Sequence, residues 1–249
     1  MIVAWHSLDL DQAIKDRHST RMFLPQPVPR ELVDEALALA QCAPSNSNIQ
    51  PWHIVFAYGA ARDRLVTALL DEAKRRPPHI PPLPESFQHY RRELGAQVYG
   101  AMGIAIEDTA KHAAAVLRNW EFFRAPLAGI VCMHRDLGLP DALSVGMFLQ
   151  TLLLALTERG LGSCVEVSVA GYPEIVRAQL SIPEELTILC AVAVGYSDPD
   201  FPANKLHIAR NPVQKNVVFL DASTIAHPPS TKEETILRGD LSRFRNHPF

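Results

Sequence analysis

From Leu186 to Val194 the chain reads Leu-Thr-Ile-Leu-Cys-Ala-Val-Ala-Val, then breaks at Gly195-Tyr196. A strand with one wet face alternates apolar and polar side chains, and this stretch does not. It must be covered on both faces, which makes it a central strand of a sheet with layers packed on each side. A chain of 249 residues can build such a core without disulfides or metal, as one large domain or two small ones. With 47% hydrophobic and 20% charged residues, the composition is that of an ordinary soluble protein.

The other elements fall around that strand. Apolar spacing predicts helices over 8–16 and 30–42, with Pro25, Pro27 and Pro29 as a stiff connector between them. Residues 53–58 read as a strand and 62–76 as a helix ending in Lys74-Arg75-Arg76, which suits the helix dipole. An exposed proline-rich stretch over 77–84 precedes helices over 86–102 and 107–123. Strands are predicted at 127–133, 163–169 and 217–220, and helices at 141–159 and 173–180. Gly160 is placed to cap the long helix. The apolar run 142–157 is shorter than the roughly 20 residues of a membrane span, so it reads as a buried helix. This order gives an α+β or mixed α/β fold, with one domain over 1–220 and a surface arm or tail over 221–249.

Several function classes lose support. The formal net charge is −3, so no global basic field draws nucleic acid or an anionic membrane. There is no G-x-G-x-x-G, no P-loop and no G-x-S-x-G. The ten histidines lack zinc-ligand spacing, and Cys42, Cys132, Cys164 and Cys190 form no C-x-x-C pair, so no metal is expected. No signal peptide is read at the N-terminus, and the cysteines suit a reduced, cytoplasmic setting.

Two segments stand out chemically. In an extended Arg17-His18-Ser19-Thr20-Arg21, residues 17, 19 and 21 share a face. Two guanidiniums and a hydroxyl there match a phosphate dianion, and they equally suit a solvated loop with paired surface charges. Lys205, His207 and Arg210 form a second basic cluster. Residues 44–52 carry Ser45, Asn46, Ser47, Asn48 and Gln50 between Pro44 and Pro51. Such a stiff polar loop suits the edge of a flat heterocycle such as a flavin pyrimidine, or is an ordinary Ser/Asn-rich turn. Trp120-Glu121-Phe122-Phe123 either stacks over a planar ligand or packs in the core.

Taken together, Arg17-His18-Ser19-x-Arg21 and Ala43-Pro44-Ser45-Asn46-Ser47-Asn48-Ile49-Gln50-Pro51-Trp52 resemble the flavin-binding signature of the nitroreductase family. Gly160-Leu161-Gly162-Ser163, Ala170-Gly171-Tyr172-Pro173, Ala193-Val194-Gly195-Tyr196 and Arg210-Asn211-Pro212 continue the match in order. The resemblance implies an α+β fold with a mainly antiparallel central sheet flanked by helices, in an intertwined homodimer with FMN at the interface. It assigns the phosphate to Arg17, Ser19, Arg21 and Arg210, with His18 in the same signature. It assigns Pro44, Ser45, Asn46 and Asn48 to the partner's flavin, and the backbone of Ala170 and Gly171 to flavin N5. Many relatives carry glutamate where Ala170 stands, so no carboxylate role transfers there.

The implied activity is NADH- or NADPH-driven reduction of a nitroaromatic or quinone by a ping-pong mechanism, with the flavin carrying the chemistry. The segment 77–123 covers the substrate side by the same resemblance; the Asn and Lys with which relatives contact the pyrimidine have no clean match here, and Arg91 or Arg92 is read as a substitute. Three other readings are weighed. Reductive dehalogenation needs a Glu-x-x-x-Tyr pair that residues 85–125 lack. A flavin-destroying branch that makes a cobalamin ligand has no supporting feature here. A non-catalytic flavin-binding or storage protein is distinguished only by assay.

Overall fold

In the computed structural model of the chain, residues 9–220 are described. They fall in two compact units that divide between His207 and Ile208. The first unit is built on a four-stranded sheet of β1 (His53–Tyr58), β2 (Leu127–His134), β3 (Gly162–Glu166) and β4 (Leu186–Gly195). The strand order is β1-β2-β4-β3 and every pairing is antiparallel. The unalternating run that opened the sequence reading is β4, flanked by a strand on each side.

Its two faces carry two separate cores, which is why it shows no polar side. Ala191 and Ala193 face Leu65 and Leu69 of α3 (Gly59–Arg75) and Val176 of α7 (Pro173–Leu180). Cys190, Val192 and Val194 face Val33 and Ala36 of α2 (Arg30–Ala40) and Phe148, Leu152 and Leu156 of α6 (Leu139–Glu158). Each fully buried leucine or phenylalanine contributes about 1.5–3 kcal/mol, so these helices are held by the sheet rather than by propensity. Gly129 permits the close approach of β1 and β4 to β2: a Cβ there would lie 2.7 Å from Phe56 Cε1 and 2.9 Å from Val192 Cγ1.

Helix α1 (Leu10–Asp16) opens on Asp9, whose carboxylate accepts from Gln12 N at 2.8 Å and caps the free end. The segment 77–123 folds as α4 (Gln88–Ala101) and α5 (Thr109–Leu117). The expected helix over 107–123 is shorter than its pattern. Asp108 caps its start, and Phe122, Phe123 and Arg124 adopt positive φ in a separate tight turn.

Three expectations are corrected. The long helix begins at Leu139 and spans 20 residues, so by length and composition it could cross a membrane; its apolar face is instead buried against α2 and the sheet. The strand expected over 163–169 stops at Glu166, and Val167–Gly171 form a 3-10 turn. The strand expected over 217–220 is absent among the described residues. In the second unit a short helix, α8 (Val213–Asn216), is followed by residues that make no strand pairing. Val217, Val218, Phe219 and Leu220 are all exposed. β-branched and aromatic residues favour a strand only where a neighbour supplies hydrogen bonds. The expected tail over 221–249 lies outside the described residues.

Candidate functional site

The segment carrying Arg17, His18, Ser19 and Arg21 runs along the edge of β3 and the turn after β4. Ser19 bridges Ser163 in parallel, and Thr20 N donates to Ser163 O at 2.9 Å. Leu24 N donates to Tyr196 O at 2.8 Å. Thr20 and Met22 are buried while Ser19 and Arg21 are half-exposed, which is the alternation of an extended chain. Asn204 fastens the segment. Its Oδ1 accepts from Arg21 N at 2.6 Å, and its Nδ2 donates to Met22 O at 2.8 Å and Asp198 O at 2.9 Å. Sequence reasoning passed over Asn204, because a polar residue in a polar connector gives no signal.

Three of the predicted residues act on one buried thiol. Burial pushes Cys164 up to about 12, and Glu166 pushes the same way. Arg21, the Ser19 hydroxyl and Arg17 all pull against them, and Arg21 Nη1 donates to Ser19 O at 3.1 Å. His18 has its Nδ1 2.8 Å from Asp16 O. In the neutral ring an Nδ1–H donating there leaves Nε2 an acceptor, and that atom is buried without a partner among the described residues. Gly162 is required by this packing: a Cβ would meet Thr20 Oγ1 at 2.5 Å.

The loop 44–52 is docked on one face of α6. Asn46 N donates to Ser144 Oγ at 3.2 Å, and Asn46 Nδ2 donates to Asp141 Oδ1 at 3.3 Å. Trp52 stacks on Phe148 with ring centroids 4.7 Å apart and donates through Nε1 to Gln41 Oε1 at 3.0 Å. Ser45 Oγ accepts from Gln50 N at 3.0 Å. Between these ties Ser47, Asn48 and Gln50 all have positive φ. Such non-glycine residues cost about 1–3 kcal/mol each and persist only where the surroundings fix them. Pro44, Asn46 and Asn48 remain exposed.

Ala170 and Gly171 end the 3-10 turn after β3. Gly171 is buried beneath residues 78–80: its carbonyl accepts from His79 N at 3.0 Å, and a Cβ would lie 2.5 Å from Pro78 Cβ. Tyr172 OH donates to Arg76 O at 2.6 Å, and the Arg76 guanidinium pairs with Glu72 and Glu174. The proline-rich stretch is thus a strap over the turn, which composition did not reveal.

Glu166, just before that turn, is buried, and among the described residues neither carboxylate oxygen is bonded. Burial holds it well above the usual carboxylate range, with Arg62 opposing. Trp120, Phe122 and Phe123 are core residues, which settles the aromatic cluster as packing rather than a stacking platform. Arg91 and Arg92 lie exposed on α4. Lys205 is exposed at the end of the turn Pro202–Lys205. Arg210 belongs to the second unit, where its Nη1 donates to Ile208 O at 2.6 Å. A cleft of about 800 Å³ is lined by Val28, Val33, Leu37, Ile54 and Phe56 with Arg62. Among the described residues no cluster of His, Cys, Asp and Glu is disposed to hold a metal.

An antiparallel sheet cored on both faces and flanked by helices, with an Arg-Ser-Arg edge and a strained polar loop, defines an α+β architecture. The nitroreductase family model matches residues 14–196, and the chain belongs to that family. It is 31% identical to a nitrobenzene nitroreductase of Ectopseudomonas oleovorans over 85% of this chain and 96% of that one. Among solved structures, the FMN and NADPH-dependent nitroreductase NfnB of Sphigopyxis sp. strain HMH superimposes with a TM-score of 0.82 at 28% identity, covering 86% of this chain and all of that one. NfnB of Mycobacterium smegmatis, solved with NADPH, gives 0.79 at 32% identity over 85% of this chain and 97% of its own.

Proposed function

We propose that this chain is an FMN-dependent, NAD(P)H-driven nitroreductase that works as a cytoplasmic homodimer. The observation that carries the reading is the segment 17–21 laid along β3, where Ser19 bridges Ser163 and Arg21 Nη1 donates to Ser19 O at 3.1 Å, in a chain whose relatives are nitroreductases. Two fixed positive charges and a hydroxyl fit a terminal phosphate, since guanidinium forks match its oxygens. The bare, buried Nε2 of His18 fits an acceptor for a ligand hydroxyl.

In this reading Arg17, Ser19 and Arg21 hold the FMN phosphate, and His18 supports the adjoining chain. The loop carrying Pro44, Ser45, Asn46 and Asn48 lines the flavin of the second protomer. The 3-10 turn presents the backbone N–H groups of Ala170 and Gly171 toward the reacting nitrogen, a fixed dipole that needs no side chain. The strap over Gly171 keeps that turn dry and rigid, which strengthens the dipole. When bound, FMN supplies the two-electron chemistry, taking a hydride from the nicotinamide and reducing a nitroaromatic or quinone in a separate half-reaction.

The test is anaerobic. Purified protein loaded with FMN is mixed with NADPH or NADH, and the flavin's visible absorption is followed. Bleaching, with recovery on adding a nitroaromatic, is expected. A yellow protein that bleaches with neither nicotinamide would be a flavin carrier. A protein that takes up no FMN would overturn the flavin reading itself.

A further inference from the structure

Asn46 was assigned to the flavin with its neighbours, but its polar groups are directed to its own protomer. Its main-chain N–H donates to Ser144 Oγ at 3.2 Å and its side-chain amide to Asp141 Oδ1 at 3.3 Å. Both acceptors are buried on α6, one turn apart. Each is itself held in place. Asp141 Oδ2 accepts from Gly138 N at 3.0 Å, and the Ser144 hydroxyl donates to Pro140 O at 3.2 Å. A turn further along the same face, Phe148 receives Trp52. The loop is therefore pinned at both ends to one rigid helix, and its three positive-φ residues lie between the pins.

We propose that Asp141 and Ser144 are positioning residues for the flavin-lining loop, and that Asn46 is their anchor rather than a flavin contact. The proposal rests on the flavin reading above. Buried hydrogen bonds to a carboxylate are short-range and directional, so they fix the loop's height over α6. Ser45 and Asn48 are then the residues left to face a ligand. The strained backbone gives the device its purpose: without the pins, residues 47–50 relax to ordinary φ, and the polar edge they present is lost.

The test uses the full chain. FMN affinity is measured by quenching of free FMN fluorescence, beside hydrogen exchange of the loop amides, for Ser144→Ala, Asp141→Asn, Asn46→Asp and the double variant Asn46→Asp/Asp141→Asn. Ser144→Ala and Asp141→Asn each lose one bond to the loop, and FMN binding weakens about 5- to 10-fold while the melting temperature of the apo-protein barely moves. Loop amides exchange faster in both. Asn46→Asp sets two carboxylates face to face and is the worst single change. The double variant restores one bond with donor and acceptor reversed, and recovers at least half of the lost affinity. Wild-type affinity and exchange in Ser144→Ala and Asp141→Asn would overturn the proposal, as would a double variant as weak as its two singles combined. If the wild type binds no FMN, the flavin reading falls; the anchor is then judged on loop exchange alone, and unchanged exchange sinks it.

Discussion

Glu166 is the residue whose surroundings fit its chemistry least. It is buried at the end of β3 with no side-chain hydrogen bond among the described residues, and burial holds its carboxyl well above the ordinary value, with Arg62 only partly opposing. The direction of the pH effect follows from linkage. Below the ordinary carboxylate value of 4.5, folded and unfolded chains both carry the proton, and the group's contribution is fully present. As pH rises the unfolded chain ionises while the folded one holds its proton, and that contribution drains away up to the raised folded value. Glu166→Gln removes the dependence. Its melting temperature is expected to match the wild type at about pH 5 and to exceed it at about pH 8, by about 2–4 °C for each kcal/mol recovered. Thermal melts at both pH values check this, and an equal offset at both would show that ionisation of Glu166 is not the cause.

At the scale of elements, one close contact packs the segment proposed for the phosphate against the sheet. Gly162 opens β3 under Thr20, whose buried hydroxyl has no partner among the described residues and leaves no room for a Cβ. Gly162→Ala is expected to push the segment 17–23 off the edge of β3. It should destabilise the fold by about 1–3 kcal/mol, as overpacking does, and weaken FMN retention with it. Denaturant melts and FMN titration read the two effects; tight FMN binding in a destabilised variant would detach this segment from the cofactor. The same elements show what was legible. β4 and α6 were readable because long apolar runs have one physical explanation. The Arg17-Ser19-Arg21 face was readable because alternation is a local property of extended chain. Asn204, the strap over Gly171 and the Asp141–Asn46 bond were not, since each joins residues far apart in sequence through a polar group that looks ordinary alone. The strand expected over 217–220 failed for the matching reason: propensity names a residue's preference but not its partner.

At the scale of the whole molecule, the outer side of α6 is the surface with the least explanation in one protomer. Leu139 and Leu143 are 87% and 67% exposed, and Gly146 on the same face has open space around it. Helix α1 packs beside α6 and leaves Leu10 and Ile14 exposed as well. The opposite side of α6 carries Ser144 and Phe148, which pin the loop assigned to the second protomer's flavin. One helix would then form the interface and place the loop that reaches across it, so assembly and cofactor binding would fail together. Leu143→Glu separates the cases. In an isolated protomer an exposed leucine exchanged for glutamate changes stability by no more than about 0.5 kcal/mol. In a homodimer closed over this face, a buried charge without a partner splits the assembly, because removing it from water costs several kcal/mol. The variant is expected to sediment as a monomer, to lose FMN and to melt at a temperature independent of concentration, whereas the wild type's melting point rises with concentration. A Leu143→Glu protein that stays dimeric and yellow would move the interface off this face of α6.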